Sequence, residues 1–385
     1  MVSWNNGLLI THRGIFHPNP LIHVFRIGLR QFSWWILRPL IYFLARFTFF
    51  AAKAGSNLSN QIPLPRKVSI LCCWLNPFTA DEVRQWQACG VTSIPDLLEK
   101  IPNRQSYLVH AQRRACWPLN CKPALELLHH KDRLLALAPQ AWIKPYLALA
   151  IPSADGEGAL PPWWQEALLT HGVVIKPNCG NASRAIVHYF VRQGSLEVRV
   201  LFDRPIEPVD LDPVEWTPQG LKRHWERLAG SHESALIQPY VIQHQALPQT
   251  DPAVVIRLTT QRADPQGEIT VRQPVLEIPL SADPSSSDSY GPVIFMGLAG
   301  LVVPMPAVKL IPLQQAELDR WLAVVKQPPA VILACLEGAR EMHRRLPPID
   351  SVAWDWIPAP TGPILLEGNG NHGLMMDQML EMLST

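Results

Sequence analysis

Two short runs of strand-forming residues near the C-terminus are joined by a Pro/Gly turn, and each carries an acidic residue among apolar neighbours. The first is Asp350-Ser351-Val352-Ala353-Trp354-Asp355-Trp356-Ile357, the turn is Pro360-Thr361-Gly362-Pro363, and the second is Ile364-Leu365-Leu366-Glu367-Gly368-Asn369. This pattern predicts an antiparallel hairpin with strands over 351–357 and 364–367. Asp355 sits between two tryptophans and Glu367 follows three apolar residues, so either carboxylate needs a partner if it is buried. Paired across the turn, Asp355, Glu367 and Asn369 converge on one point. Two carboxylates and an amide oxygen are hard ligands suited to Mg²⁺ shared with phosphates. The competing reading is an exposed hairpin whose acids are incidental.

Upstream, the chain alternates short strands and helices. The β-branched run Val173-Val174-Ile175 delivers Lys176-Pro177 into a turn, and residues 185–191 and 196–202 read as strands joined at Gln193-Gly194. Residues 221–228 predict a helix, 236–241 an extended segment, and 254–260 and 269–278 two more strands. Helices over 314–325 and 330–345 then lead into the hairpin. Residues 68–162 are mostly helical in pattern, including a helix over 122–137. The fold class is therefore α+β, preceded by a helical region. The expected division is 1–57 (basic and apolar), 58–165 (helical), 166–245 (small lobe) and 246–385 (large lobe carrying the metal site). With 385 residues, two or three domains with a large buried core are affordable in length.

No Asp or Glu precedes Asp81, whereas Arg13, Arg26, Arg30, Arg38, Arg46, Lys53, Arg66 and Lys67 all fall in that stretch. Residues 32–52 are rich in Trp, Phe, Ile and Leu and nearly span-length. Arg38, Pro39 and Arg46 interrupt them, and a central arginine costs about 2.5–3.5 kcal/mol on insertion scales. An interfacial helix over segment 13–53, with arginines at anionic headgroups, is the leading expectation. Packing against the rest of the chain, an organelle transit segment and a true span remain open. The expected location is cytoplasmic, peripheral on the cytoplasmic face of the membrane.

The net charge of +2 gives no case for nucleic acid, and none is expected as a partner. The seven cysteines include no CxxC pair or zinc-like spacing, which points to reduced thiols.

The segment HRRLPPIDSVAWDWIPAPTGPILLEGNGNHG resembles the terminal motif of ATP-grasp proteins, in particular the sugar-transfer-associated ATP-grasp family. Other motifs resemble that family in the order it requires, over about 250 residues from Lys131 to Gly373. Val174-Ile175-Lys176-Pro177 resembles the strand whose lysine reaches the ATP phosphates. Residues 178–184, with Gly180, Asn181, Ala182 and Ser183, stand in place of the mobile phosphate-covering loop, with fewer glycines than usual. Gln238, Pro239 and Tyr240 resemble the linker that recognises adenine. Ile256-Arg257-Leu258-Thr259 resembles the element whose arginine faces the transferred phosphoryl group. Lys131, in His-Lys-Asp-Arg, resembles the earlier nucleotide-contacting lysine.

The resemblance implies two α+β lobes clasping ATP. It gives Asp355, Glu367 and Asn369 one or two Mg²⁺ ions to hold, and makes Arg257 and Lys176 the catalytic cations. The implied activity is an ATP-driven carboxylate–amine or carboxylate–thiol ligase working through an acyl phosphate. The basic N-terminus turns the expected substrate toward a small-molecule or glycan carboxylate of the cell envelope. The alternatives are a kinase of the same fold acting on a hydroxyl, and a nucleotide-binding scaffold without catalysis.

Overall fold

The computed structural model describes residues 3–5, 8–10, 89–90, 110, 114, 117–149, 160–179, 186–201, 207–229, 234–272, 274–285, 291–303, 309–373, 379–380 and 383–384. Segment 13–53, most of the expected helical region before residue 117, and loop residues 180–185 lie outside them. Among the described residues, no single helix is long and apolar enough to cross a membrane.

In chain order, β1 (Ser3–Asn5) and β2 (Leu8–Ile10) form a small hairpin. Helices α1 (Lys122–His129) and α2 (Lys131–Leu137) follow, then β3 (Leu147–Leu149), α3 (Trp164–Thr170), β4 (Val173–Pro177), β5 (Val187–Arg192), β6 (Ser195–Val200) and β7 (Glu207–Pro208). Next come α4 (Pro218–Ala229), β8 (Ala235–Pro239), β9 (Val255–Gln261), β10 (Thr270–Val271), β11 (Val275–Pro279) and β12 (Val293–Gly297). The chain continues through α5 (Pro312–Lys326), α6 (Ala330–Arg345), β13 (Ser351–Ala359) and β14 (Gly362–Asn369).

Besides that hairpin, two six-stranded antiparallel sheets result. The smaller lobe orders its strands β3-β8-β4-β5-β6-β7, and the larger β12-β11-β9-β13-β14 with β10 paired to β9. The expected α+β class, with two lobes, is what the chain forms. The turn between β5 and β6 places Gln193 and Gly194 at φ 52° and 79°, the left-handed pair that a tight hairpin needs.

The alternation of strand side chains gives each sheet one apolar and one polar face. In the small lobe Val173, Ile175, Val187, Tyr189 and Ile237 pack on Trp164 and Leu168 of α3 and on Leu221 and Trp225 of α4. Lys176, Gln238, His188 and Arg199 share the opposite face, as their registers require. In the large lobe Ile256, Leu258, Leu276, Trp354 and Trp356 cover Ile332, Cys335, Ala339 and Met342 of α6 and Trp321 of α5. Trp321, Trp354 and Trp356 are fully buried; each contributes about 4–6 kcal/mol of gross apolar burial. Gly338 in mid-α6 exists for one of them, since a Cβ there would lie 2.8 Å from the Trp356 ring.

The helical pattern over 122–137 breaks at His130, which is extended at φ −112° and ψ 104° and bridges to Cys179. Its side chain and the Cys179 thiol meet at 3.1 Å. The strand expected over 269–278 is likewise two pieces, β10 and β11.

Candidate active site

The polar face of the large sheet carries a row of charges across four neighbouring strands. Arg257 on β9 is the direct partner of Asp355 on β13, and Asp355 is the direct partner of Glu367 on β14. On the other side of Arg257, β11 contributes Glu277 from the same face. The sequence of charges across the sheet is therefore Glu277, Arg257, Asp355, Glu367. Arg257 grips Asp355 with two bonds, Nε to Oδ1 at 2.9 Å and Nη2 to Oδ2 at 3.0 Å. Its remaining nitrogen, Nη1, lies 3.0 Å from Glu277 Oε1.

Two lysines reach this row from other elements. Lys131, the first residue of α2, places Nζ 3.4 Å from Glu367 Oε2. The break at His130 sets it there, and Asn178 fastens the helix start by taking the backbone N–H groups of Lys131 at 2.9 Å and Asp132 at 3.0 Å. Lys176 on β4 donates across the lobes to the Leu366 carbonyl at 3.1 Å. That acceptor is available because the β13–β14 register shifts between Asp355 and Trp356, leaving Leu366 as the extra residue of a bulge. Asn369 donates Nδ2 to Glu367 Oε1 at 3.1 Å. Lys131, Lys176, Arg257, Asp355, Glu367 and Asn369 are thus brought together.

Burial and mutual charge set the protonation of this row. Burial pushes Asp355 up, its contact with Glu367 adds to that, and Arg257 pulls the other way. Burial acts on Glu367 too, but Lys131, Lys176 and the Asn369 amide together outweigh it and hold it below the usual carboxylate range. Burial pushes Glu277 up to about 7, with Arg257 opposing and Asp355 and Glu367 reinforcing. Burial also lowers Lys176 to about 8, against the pull of Glu367.

The donor set can be tested against a divalent ion. Asp355 is buried and Glu367 partly so, and as direct cross-strand partners they stand side by side, an arrangement that a proton or a cation relieves. Both are hard oxygen donors with the Asn369 amide beside them, so the residues fit Mg²⁺. Among the described residues, no group of three or more His, Cys, Asp or Glu side chains is arranged to hold a metal alone. Ligand oxygens would complete the shell, as phosphates do for Mg²⁺.

Gln238 lies buried on β8, two residues along from the partner of Lys176 and on the same face. Pro239 ends that strand, paired with Val173. Tyr240 stacks on His188 with centroids 4.0 Å apart and donates to Asp251 Oδ1 at 2.8 Å. Arg199 also bonds Asp251, which ties the small sheet to the connection between lobes. Gly180, Asn181, Ala182 and Ser183 fall outside the described residues.

Sequence reasoning missed Glu277. Its one available signal was a lone acid in the apolar run Val275–Pro279, whose meaning depends on β11 lying beside β9. It also missed the Leu366 bulge, which no local pattern announces.

No family model and no curated protein matches the chain. Solved structures similar to it include a D-alanine–D-alanine ligase from Bacillus anthracis, at 10% identity and TM-score 0.36 over 68% of each chain. An L-amino acid ligase from Bacillus licheniformis matches at 9% identity and TM-score 0.35, over 72% of this chain and 51% of its own. The VanG D-Ala:D-Ser ligase from Enterococcus faecalis matches at 14% identity and TM-score 0.34, over 68% and 62%. Values of this size describe partial agreement of chain trace, and the chemistry has to be read from the side chains themselves.

Proposed function

We propose that the protein is an ATP-grasp enzyme, an ATP-driven and Mg²⁺-dependent ligase joining a carboxylate to an amine or thiol. The observation that carries this reading is the convergence of Lys131, Lys176 and Arg257, from three different elements, on Asp355 and Glu367. Phosphoryl transfer requires positioning and neutralisation of charge on the γ-phosphate, and three cations around two carboxylates are suited to both. Lys131 and Lys176 orient the nucleotide phosphates, and Arg257 stabilises the phosphoryl group in flight. Asp355, Glu367 and Asn369 would hold one or two Mg²⁺ ions, which when bound neutralise the phosphate oxygens.

In this reading a substrate carboxylate oxygen attacks the γ-phosphorus and ADP departs. The acyl phosphate is then attacked at its carbonyl carbon by the amine or thiol, phosphate leaves, and the nucleophile gives up its proton. No protein nucleophile is needed. The sugar-transfer-associated branch, a cell-envelope or polysaccharide-related carboxylate, and a peripheral membrane position through segment 13–53 belong to the same proposal. They are motivated by the terminal motif and the acid-free basic N-terminus.

One observation favours the kinase alternative. Glu277, at about 7, is poised to accept a hydroxyl proton near neutral pH. Product analysis separates the two: ADP, free phosphate and a new amide or thioester mark a ligase, and ADP with a stable phosphoester marks a kinase. Failure of ATP–Mg²⁺ to raise the melting temperature would sink both. Undiminished ATP binding in the Asp355→Ala/Glu367→Ala double variant would overturn the metal assignment.

A further inference from the structure

At the far end of β9 a cavity of about 560 Å³ opens, of the size that takes a small organic ligand. Trp117, Gln261, Arg262, Glu268, Thr270 and Arg272 border it. Gln261 pairs with Ser351 as Arg257 pairs with Asp355, so the cavity touches the same sheet face as the charge row. Four residues of strand separate them, about 13 Å.

Hydrogen-bond donors outnumber acceptors in this lining. Trp117 is 8% exposed, and its Nε1 is buried with no partner among the described residues. Arg262 gives Nε to the Ile349 carbonyl at 3.3 Å and Nη1 to the Pro265 carbonyl at 3.1 Å, and no carboxylate pairs with it among the described residues. Gln261 accepts Arg272 Nε on Oε1 at 3.1 Å, so its amide NH₂ is the group left to offer. Asp350 also borders the cavity, but Arg114 Nε holds one carboxylate oxygen at 2.8 Å and the Ser351 hydroxyl faces the other at 3.4 Å. Glu268 is exposed, at the rim. A guanidinium without a carboxylate partner and a spare amide NH₂ make a lining of this kind complementary to an oxygen-rich anion.

We propose that this cavity binds the second substrate of the reaction through a carboxylate or phosphate oxyanion, held by Arg262 and the Gln261 amide. The role as second substrate rests on the ligase reading; the oxyanion site itself does not.

The test uses the full chain, with succinate and inorganic phosphate as probes, read by tryptophan fluorescence and titration calorimetry. At least one probe binds saturably, and which of the two does so tells carboxylate from phosphate. Arg262→Gln and Thr270→Asp each weaken that binding about tenfold or more. Thr270 is exposed, so its variant folds even if removing Arg262 does not. Binding that survives Thr270→Asp unchanged, or no binding of either probe, overturns the proposal and leaves the ligase reading standing. Absence of an ATP–Mg²⁺ stabilisation in the wild type sinks the ligase reading and leaves the oxyanion site standing.

Discussion

Replacing Glu277 by glutamine tests the electrostatic account of the charge row directly. Glu277 has an ordinary value of 4.5 and is raised to about 7 in the folded chain, by burial first. A raised carboxylate favours the proton in the folded state. Its contribution to stability is therefore fully present below 4.5 and is lost as pH climbs to about 7. At about 1.4 kcal/mol per unit the ceiling is near 3 kcal/mol. The Glu277 side chain is 23% exposed, and solvent reduces that ceiling to about 1–2 kcal/mol. Glutamine keeps the shape and cannot ionise. Wild type and Glu277→Gln should therefore melt close together near pH 5, with the variant roughly 1–3 °C higher near pH 8. Differential scanning calorimetry without nucleotide, across that range, makes the comparison. A gap that stays constant with pH, or one that favours wild type at high pH, refutes the claim that burial outweighs Arg257 at Glu277.

Three further outcomes follow from single contacts. Lys176→Met should abolish most of the melting-temperature rise given by ATP–Mg²⁺; in wild type that rise should fade as pH passes about 8, where the buried lysine loses its charge. Thr260→Val removes the hydroxyl that meets both Trp354 Nε1 and His343 Nδ1 at 2.7 Å, and should cost about 2–4 kcal/mol in a denaturant titration with the m-value unchanged. Gly338→Ala forces a methyl against Trp356 and should destabilise by about 1–3 kcal/mol, with near-ultraviolet circular dichroism reporting the displaced indole.

Much of this arrangement was legible because it is local. The hairpin announced itself through Trp-Asp-Trp, a Gly-Pro turn and Leu-Leu-Glu, and the strands formed are Ser351–Ala359 and Gly362–Asn369. Helix α6 spans the residues its pattern predicted, 330–345. Illegible features depend on which strands become neighbours. Glu277 acquires a partner only because β11 lies against β9. Helices α1 and α2 are separate because His130 leaves the helix to bridge Cys179, a residue far along the chain. Asp355 was expected to face a metal, and the sequence could not reveal that Arg257 would stand directly opposite it.

The row across the large sheet has one last consequence. Lys131, Lys176 and Arg257 face Asp355, Glu367 and Glu277, three positive groups against three acidic ones. With all six groups ionised such a site is an electrically balanced seat, with little net pull on a bare polyphosphate. An anion arriving without counterions would have to strip lysine and arginine from their carboxylates and leave those acids stranded. One arriving with its divalent ions can trade partners, cation to carboxylate and phosphate to lysine, and leave the balance as it was. On the proposed function, discrimination between a free nucleotide and a metal-laden one would follow from the pairing itself.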